Sequence, residues 1–318
     1  MECKNMRYSN VGILGTGSYL PPKIMTNKKI EETVNTTHEW INSKLGINER
    51  RVVEDELPSE IGYRAALRAL ESANLTINDI DLIIVATSSP EQISPSTACI
   101  IHNKFNIEKN IPAFDINAVC SGFVYAVNLV SPLISFGVYK NVLIIATESY
   151  SKVTNWEDQH CVFFGDGAGA VVIGSSTDGW ISCENNANGK DTGMTGFNLP
   201  IGGPFIMKGK EVWNQAIKVI PESVKSVLKI SNVDISEVDM IVPHQPSINI
   251  LKIIAEDLGV PMSKVKTVMD RYANIAGASV PIALDDAVKN NEIKKGDTIV
   301  LTAIGSGWTW GSTILKWV

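Results

Sequence analysis

The chain lacks most of the features that assign a protein at a glance. No apolar run approaches the roughly 18 residues that a membrane-spanning helix needs, and residues 1–10 are polar, without the apolar core of a secretory signal. A cytoplasmic protein with no membrane partner is the expectation. Basic residues are in deficit, 28 Lys and Arg against 34 Asp and Glu, and no basic tail or block occurs; nucleic acid is therefore not an expected partner. Cysteines number only five (Cys3, Cys99, Cys120, Cys161 and Cys183) and none falls in a C-x-x-C pair. That pattern suits a reducing compartment and provides neither a disulfide framework nor a metal site.

What is present is apolar material, 44% of 318 residues with 19% charged, enough for one large globular domain or two ordinary ones. Residues 11–17 read as a first strand ending in glycines. The G-x-G there lacks a third glycine, and Pro21-Pro22 replaces the helix that a dinucleotide site requires. Short helices are expected over 27–34 and 37–45, the second capped by Thr36 or Thr37.

A pattern then appears twice. A helix over 61–73, a turn and a strand over 82–87 parallel a helix over 219–230, a turn and a strand over 240–242. Leu70, Asn74, Ile77, Asp79, Asp81 and Ile83 match Leu228, Asn232, Ile235, Glu237, Asp239 and Ile241 at one constant offset. Residues 113–120 parallel 267–274, read in both as a strand, an Asp and a polar residue before a small-residue helix; 141–147 parallel 297–303. Two copies of one design meeting near residue 175, with parallel-rich sheets covered by helices, account for this.

In open α/β sheets, functional groups gather at the carboxyl ends of strands. Cys120, His244 and Asn274 each follow a predicted strand, so pseudo-twofold packing would place them in one pocket. Cys120 precedes a helical run, where unpaired N–H groups and the helix dipole favour thiolate; as a residue type it is equally a small buried hydrophobe. His244 sits in P-H-Q-P, a loop stiffened by two prolines, whereas His38 and His102 read as surface or packing residues. His160, ahead of an apolar strand expected over 161–164, reads as structural. Asn274 is a candidate donor or simply an N-cap. Segments 164–170 and 305–311 are glycine-dense, suited to close backbone approach or to presenting N–H donors.

Together D-I-N-A-V-C-S-G-F around Cys120, F-G-D-G-A-G-A at 164–170, H-Q at 244–245, N-I-A-G-A-S-V-P at 274–281 and G-S-G-W-T-W-G at 305–311 resemble β-ketoacyl-ACP synthase III, of the thiolase-fold condensing enzymes. The resemblance implies an α/β thiolase-like fold of duplicated α-β-α-β-α layered halves with two mixed sheets, 1–175 carrying Cys120 and 176–318 carrying His244 and Asn274. It implies an acyltransferase that loads an acyl group from acyl-CoA on Cys120, with an oxyanion hole from the N–H groups of Cys120 and Ser306. His244 and Asn274 would stabilise the enolate left when a malonyl thioester, on ACP or CoA, loses carbon dioxide, and the product would be a 3-oxoacyl thioester that initiates fatty acid synthesis. No metal or cofactor beyond the thioester substrates is implied; a homodimer is.

The alternative is a specialised-metabolism relative that condenses or transfers a longer or unusual acyl group. The resemblance places Thr36, Trp40, Met207, Gly209 and Trp213 along the pantetheine arm. Several positions depart from the family. Pro246-Ser247 replaces Ala-Asn after H-Q, leaving Ser247 as the contact; Lys44 stands for an arginine; an arginine near Asp158 or Gln159 is missing. The helix after His244 carries Asn249, Glu256 and Asp257, leaving Lys252 and Lys264 or Lys266 to meet acyl carrier protein. Ser94 replaces a phenylalanine that caps the acyl pocket across the dimer, predicting a roomier pocket.

Overall fold

The apolar runs at 82–86 and 142–146 leave no face for solvent, so the strands they form need cover on both sides. In the computed structural model, which describes residues 7–190 and 196–318, helices supply that cover. Cys3 lies outside the described residues. The first part of the chain runs β1 (Tyr8–Tyr19), β2 (Ile24–Thr26), α1 (Asn27–Glu31), α2 (His38–Leu45), β3 (Glu49–Arg51), α3 (Pro58–Ser72), β4 (Leu82–Ala86), α4 (Thr97–Lys104), β5 (Ala113–Ile116), α5 (Gly122–Ser135) and β6 (Asn141–Ser149). A long strand, β7 (Asp166–Ala187), follows. Then come β8 (Phe197–Asn198), β9 (Ile206–Met207), α6 (Gly209–Ser231), β10 (Met240–Pro243), α7 (Ile248–Leu258), α8 (Met269–Tyr272), α9 (Ser279–Lys289), β11 (Thr298–Gly305) and β12 (Thr309–Lys316).

The main strands lie in the order β10-β11-β12-β7-β6-β4-β5, with β1 also on β7. Parallel pairs β4/β5, β4/β6 and β10/β11 combine with antiparallel pairs along β7 and between β11 and β12. β7 joins two mixed half-sheets: Asp166 to Gly174 pair with β6, while Ile181 to Ala187 pair with β12. Residue 175 falls inside this strand, so the two halves share a continuous element where a boundary is expected.

Strand periodicity sorts the core into layers. Leu82, Ile84, Val142 and Ile144 face a cluster with Phe123, Val127 and Val130 of α5 and Val280, Ile282 and Leu284 of α9, which also receives Val242, Ile299 and Leu301 from the other half-sheet. The intervening residues Ile83, Val85, Leu143 and Ile145 pack on α3 and α4, and Ile241, Val300 and Ile314 pack on α6 and α7. Two helices are thus sandwiched between the half-sheets, with one helical layer outside each. The glycines at 15 and 17 belong to this packing: a Cβ at Gly17 would stand 2.5 Å from the Ala65 carbonyl oxygen and one at Gly15 2.6 Å from that of Ala69, so α3 lies directly on the β1 backbone.

The duplication is visible atom by atom. Asn74 and Asn232, just past α3 and α6, both take φ of 53°, a conformation asparagine tolerates. Each turn then forms a capping box, Thr76 with Asp79 and Asp234 with Glu237. Asp81 accepts the Lys140 N–H at 2.8 Å, and Asp239 accepts the Thr298 N–H at 2.8 Å. The correspondence fails at 267–270. β5 is a strand, but its expected counterpart is the helical turn α8, and only an isolated bridge joins Ile241 to Val265. The Gln245 side chain occupies the position of a strand neighbour, donating to Pro243 and Lys266 carbonyls and accepting the Val268 N–H. Two other expectations change: 159–162 is a 3-10 turn rather than the start of a strand, and α1 ends at Glu31, short of residue 34.

Candidate active site

Cys120 is presented by a turn that the backbone must be forced to make. β5 ends at Ile116, Asn117 Oδ1 accepts the Val119 N–H at 3.1 Å, and Val119 takes φ of 49°, a left-handed value unfavourable for a β-branched residue. A 3-10 turn, Val119–Ser121, then leads into α5, so Cys120 stands one short turn ahead of the helix proper. Among the described residues with positive φ that are neither glycine nor asparagine, the other two are Ala273 (59°) and Ala276 (40°), on either side of Asn274. Backbone strain thus collects beside Cys120 and Asn274, at a cost of roughly 1–3 kcal/mol per residue.

Contacts between the halves hold this geometry. Thr309 Oγ1 lies 2.8 Å from Ser121 Oγ and 3.1 Å from the Ala118 carbonyl oxygen, pinning the turn between β11 and β12 to the Cys120 turn. Ser306 donates its hydroxyl to the Phe197 carbonyl at 2.5 Å. Asn274 donates its backbone N–H to the Phe163 carbonyl at 3.1 Å and accepts the Gly165 N–H at 3.0 Å, forming a bridge to the first half. Buried Arg50, which donates to the Val162 carbonyl at 2.8 Å, steadies the segment just before that bridge.

The functional groups are oriented by what they already bond. Asn274 Oδ1 accepts the Ala276 N–H at 2.8 Å, which directs the other end of the amide, two N–H donors, away from the backbone. His244 follows β10, and its backbone N–H donates to the Thr302 carbonyl at 2.8 Å. Its ring is buried, and burial lowers the imidazole pKa to about 4 against a raising hydrogen bond to the Ala276 backbone. The ring is therefore neutral at physiological pH, with a buried Nδ1 that has no partner. Burial and, next, the Glu148 charge push the Cys120 thiol far above its ordinary range, opposed only by its own N–H. The preference for thiolate expected at a helix start is outweighed here by desolvation.

Cavities connect these groups to the surface. Cys120, His244, Asn274 and Ser306 all line a chamber of about 50 Å³. A tunnel of about 410 Å³ shares Asn274, Phe164 and Met207 with that chamber and reaches Trp40, Gly209 and Trp213. Ser247 lines it too, its hydroxyl capping α7 by accepting the Ile250 N–H at 3.3 Å. Thr36 lies farther out, in a surface pocket of about 330 Å³ that shares Trp40 with the tunnel, and its buried hydroxyl has no partner. On the other side, Ser306 and Phe197 border a groove of about 270 Å³ with Tyr150 and Leu199. Ser94 is not brought to any of these spaces; it is exposed on the loop after β4. Lys266, considered above as a carrier contact, is buried in ion pairs with Asp286 and Glu292 at 2.8 and 2.6 Å.

Sequence reasoning missed the aromatic lining. Phe163 and Phe164, read as strand core, wall the tunnel, and Tyr150, Phe164, Phe197 and Phe205 form a buried aromatic group against Cys120. The doubled phenylalanine formed by Phe163 and the first residue of F-G-D-G-A-G-A hints at the former; no local signal marks Phe197 or Phe205.

Comparison with known proteins places this geometry. The profile for 3-oxoacyl-[acyl-carrier-protein] synthase III matches residues 114–189, and that for the C-terminal part of the same synthase matches residues 228–317. A β-ketoacyl-[acyl-carrier-protein] synthase III of Clostridium acetobutylicum is 43% identical, with 97% of this chain and 99% of the relative aligned. The crystal structure of 3-oxoacyl-[acyl-carrier-protein] synthase III from Aquifex aeolicus superposes with a TM-score of 0.93 at 40% identity, covering 96% of this chain and 100% of that one. The Thermus thermophilus synthase III structure gives 0.91 at 33% identity, over 96% and 99%.

Proposed function

Because the chain belongs to the 3-oxoacyl-[acyl-carrier-protein] synthase III family, we propose that its chamber carries out both halves of a decarboxylative Claisen condensation that initiates fatty acid synthesis. In the first half, Cys120 Sγ forms a bond to the acyl carbonyl carbon of an acyl-CoA and the bond to the CoA sulfur breaks. Because the resting cysteine is a protonated thiol, its proton leaves with the attack and ends on the departing CoA thiolate. The N–H groups of Cys120 and Ser306 receive the oxyanion.

In the second half, malonyl-ACP occupies the tunnel. Loss of carbon dioxide leaves an enolate whose oxygen takes hydrogen bonds from His244 and the Asn274 amide. A neutral imidazole suits this role, since it donates one hydrogen bond without a fixed charge to be paired in the ground state. The enolate carbon attacks the acyl-cysteine carbonyl, Sγ leaves as a thiolate that takes a proton from solvent to restore the thiol, and the 3-oxoacyl thioester departs through the tunnel. The observation that carries the reading is the convergence of Cys120, His244, Asn274 and Ser306 on one small chamber at the tunnel's end.

We place the pantetheine arm between Trp40 and Trp213, with Lys44, Met207, Gly209 and Ser247 along its length and Thr36 nearer the mouth, and the acyl group toward the groove by Tyr150 and Phe197. No metal or cofactor takes part in these steps. The halves 1–175 and 176–318 act as one unit, in the cytoplasm, in a homodimer built over the sheet edge at β5. That edge pairs with β4 alone, and exposed Phe114 and Ile93 lie on it and on the nearby loop; Ser94 would meet the second copy there.

Intact-mass spectrometry tests the proposal. Acyl-CoA should add one acyl group to the protein, located on the Cys120 peptide and absent in Cys120→Ala. Malonyl-ACP should then discharge the adduct with release of carbon dioxide. An adduct retained by Cys120→Ala, or discharge without carbon dioxide, would overturn it.

A further inference from the structure

Glu148, at the end of β6, is fully buried, and no lysine or arginine forms an ion pair with it among the described residues. Its carboxyl is held by hydrogen-bond donors from two directions. Ser88 gives its N–H to both oxygens at 3.2 Å and its hydroxyl to Oε1 at 2.9 Å. Ser89 gives its N–H at 3.1 Å and its hydroxyl at 2.5 Å to Oε2. From the other half of the molecule comes the Gly277 backbone. A Cβ built on Gly277 would stand 3.1 Å from Glu148 Oε1 and 3.0 Å from the Val119 carbonyl oxygen, so the carboxyl and the Cys120 turn press on the same face of that glycine. The same carboxyl bonds Ser88, whose hydroxyl lies 2.9 Å from the Tyr150 phenol in the aromatic group behind Cys120.

A buried carboxyl without a cation is expensive and contributes little to stability by itself. Resting on the reading of Cys120 as nucleophile, we propose that Glu148 is a positioning residue for that cysteine: it clasps the Cys120 turn and the Asn274–Gly277 segment together, and its ionisation sets the pH at which the thiol becomes reactive.

The titratable groups around this cluster are few. They are Cys120 on the 3-10 turn, Tyr150 on the turn after β6, and His244, which reaches the neighbouring Ala276 backbone; the segments at 88–89 and 276–277 bring none. Burial holds the Tyr150 phenol well above its usual range, and His244 lies at about 4, so both stay neutral between pH 6 and 8. Glu148, raised by burial to about 7 against the pull of Ser89 and Ser88, is the group that changes charge in that interval. As it ionises, the new negative charge opposes thiolate at Cys120.

The pH dependence of iodoacetamide alkylation, read on the Cys120 peptide so that exposed Cys99 does not count, tests this without any turnover. Glu148→Gln should move the profile to lower pH by roughly one to two units, about ten- to a hundredfold in rate at a fixed pH above about 7, where the parent's carboxyl is ionised, and below the midpoint. Glu148→Asp, which keeps the charge, should stay with the parent. Should Glu148→Gln fail to fold by near-UV dichroism, Ser89→Ala, which removes one donor to the carboxylate and keeps it neutral over a wider range, should shift the profile the same way by less. A profile coincident with the parent's in the folded Gln variant, or in Ser89→Ala if Gln does not fold, overturns the proposal. Failure of the parent protein to take up an acyl group at Cys120, with this shift intact in Glu148→Gln, would instead count against the nucleophile reading alone.

Discussion

Gly305→Ala is the substitution that puts the inter-half geometry at greatest risk for the smallest chemical change. The new Cβ would stand 2.4 Å from the Ala118 carbonyl oxygen and 3.0 Å from both the Cys120 nitrogen and Thr309 Oγ1. Two of the three obstacles are backbone, so no side chain can rotate aside. Ordinary carbon–oxygen contact lies well beyond 2.4 Å, and the turn carrying Cys120 must recede by something under about 1 Å, a displacement able to cost about a hundredfold in rate. The atom displaced is the very N–H we assign to the oxyanion hole, where loss of one donor costs about 3 kcal/mol. Acylation by acyl-CoA, followed by quenched intact-mass spectrometry, should therefore slow by two to three orders of magnitude, with thermal stability falling by only about 1–3 kcal/mol from overpacking. Gly305 does not have a positive φ, so alanine carries no conformational penalty of its own. A folded variant that acylates within about threefold of the parent would refute the argument that β11 fixes the Cys120 N–H.

Further predictions concern the other groups. Asn274→Ala should leave acyl loading of Cys120 nearly intact while slowing release of carbon dioxide from malonyl-ACP about a hundredfold or more; parallel losses in both steps would contradict the division of labour. His244 and Glu148 have opposite effects on stability. His244, lowered from 6.5 to about 4, contributes stability present above pH 6.5 and lost as pH falls toward 4, whereas Glu148, raised from 4.5 to about 7, contributes stability present below pH 4.5 and lost as pH rises through 7. Urea unfolding of His244→Asn should gain about 2 to 3 kcal/mol relative to the parent on going from pH 6.5 to 4.5, and equal pH slopes would disprove the buried neutral ring. Phe114→Lys should weaken a dimer formed over β5, and an unchanged mass by light scattering at micromolar concentration would remove that edge from the interface.

The layered fold was legible where each residue's environment is set by its own segment. The apolar run at 142–146 could only be a doubly covered strand, and the repeated Asn-x-x-Ile-x-Asp/Glu-x-Asp turns form the same caps in both halves. It failed at 267–270, where a glutamine side chain twenty residues away in sequence takes over the bonds of a strand neighbour, and no local periodicity encodes that. Cys120 and His244 were legible in the chamber because each follows a strand the duplication places at one end, whereas Asn274 reaches the same chamber from the helical turn α8 and not from the strand expected before it. The state of the thiol was not. A helix start suggests thiolate, but burial, and next the charge of Glu148, decides it, and Glu148 reads in sequence only as a residue just past a strand.

The sharing of β7 has a consequence for how the molecule comes apart. Its first residue, Asp166, is buried and accepts N–H groups from Val53 and Ser151, and its last third carries the ladder to β12. A break at 175 would leave each fragment with a torn sheet edge and an uncovered central helix, α5 in one and α9 in the other. Neither half has a complete core, so unfolding should be a single cooperative event, with the amides of β7 among the last to exchange with deuterium. A gene for this protein split at the symmetry point would yield two sticky, aggregation-prone chains rather than two small domains.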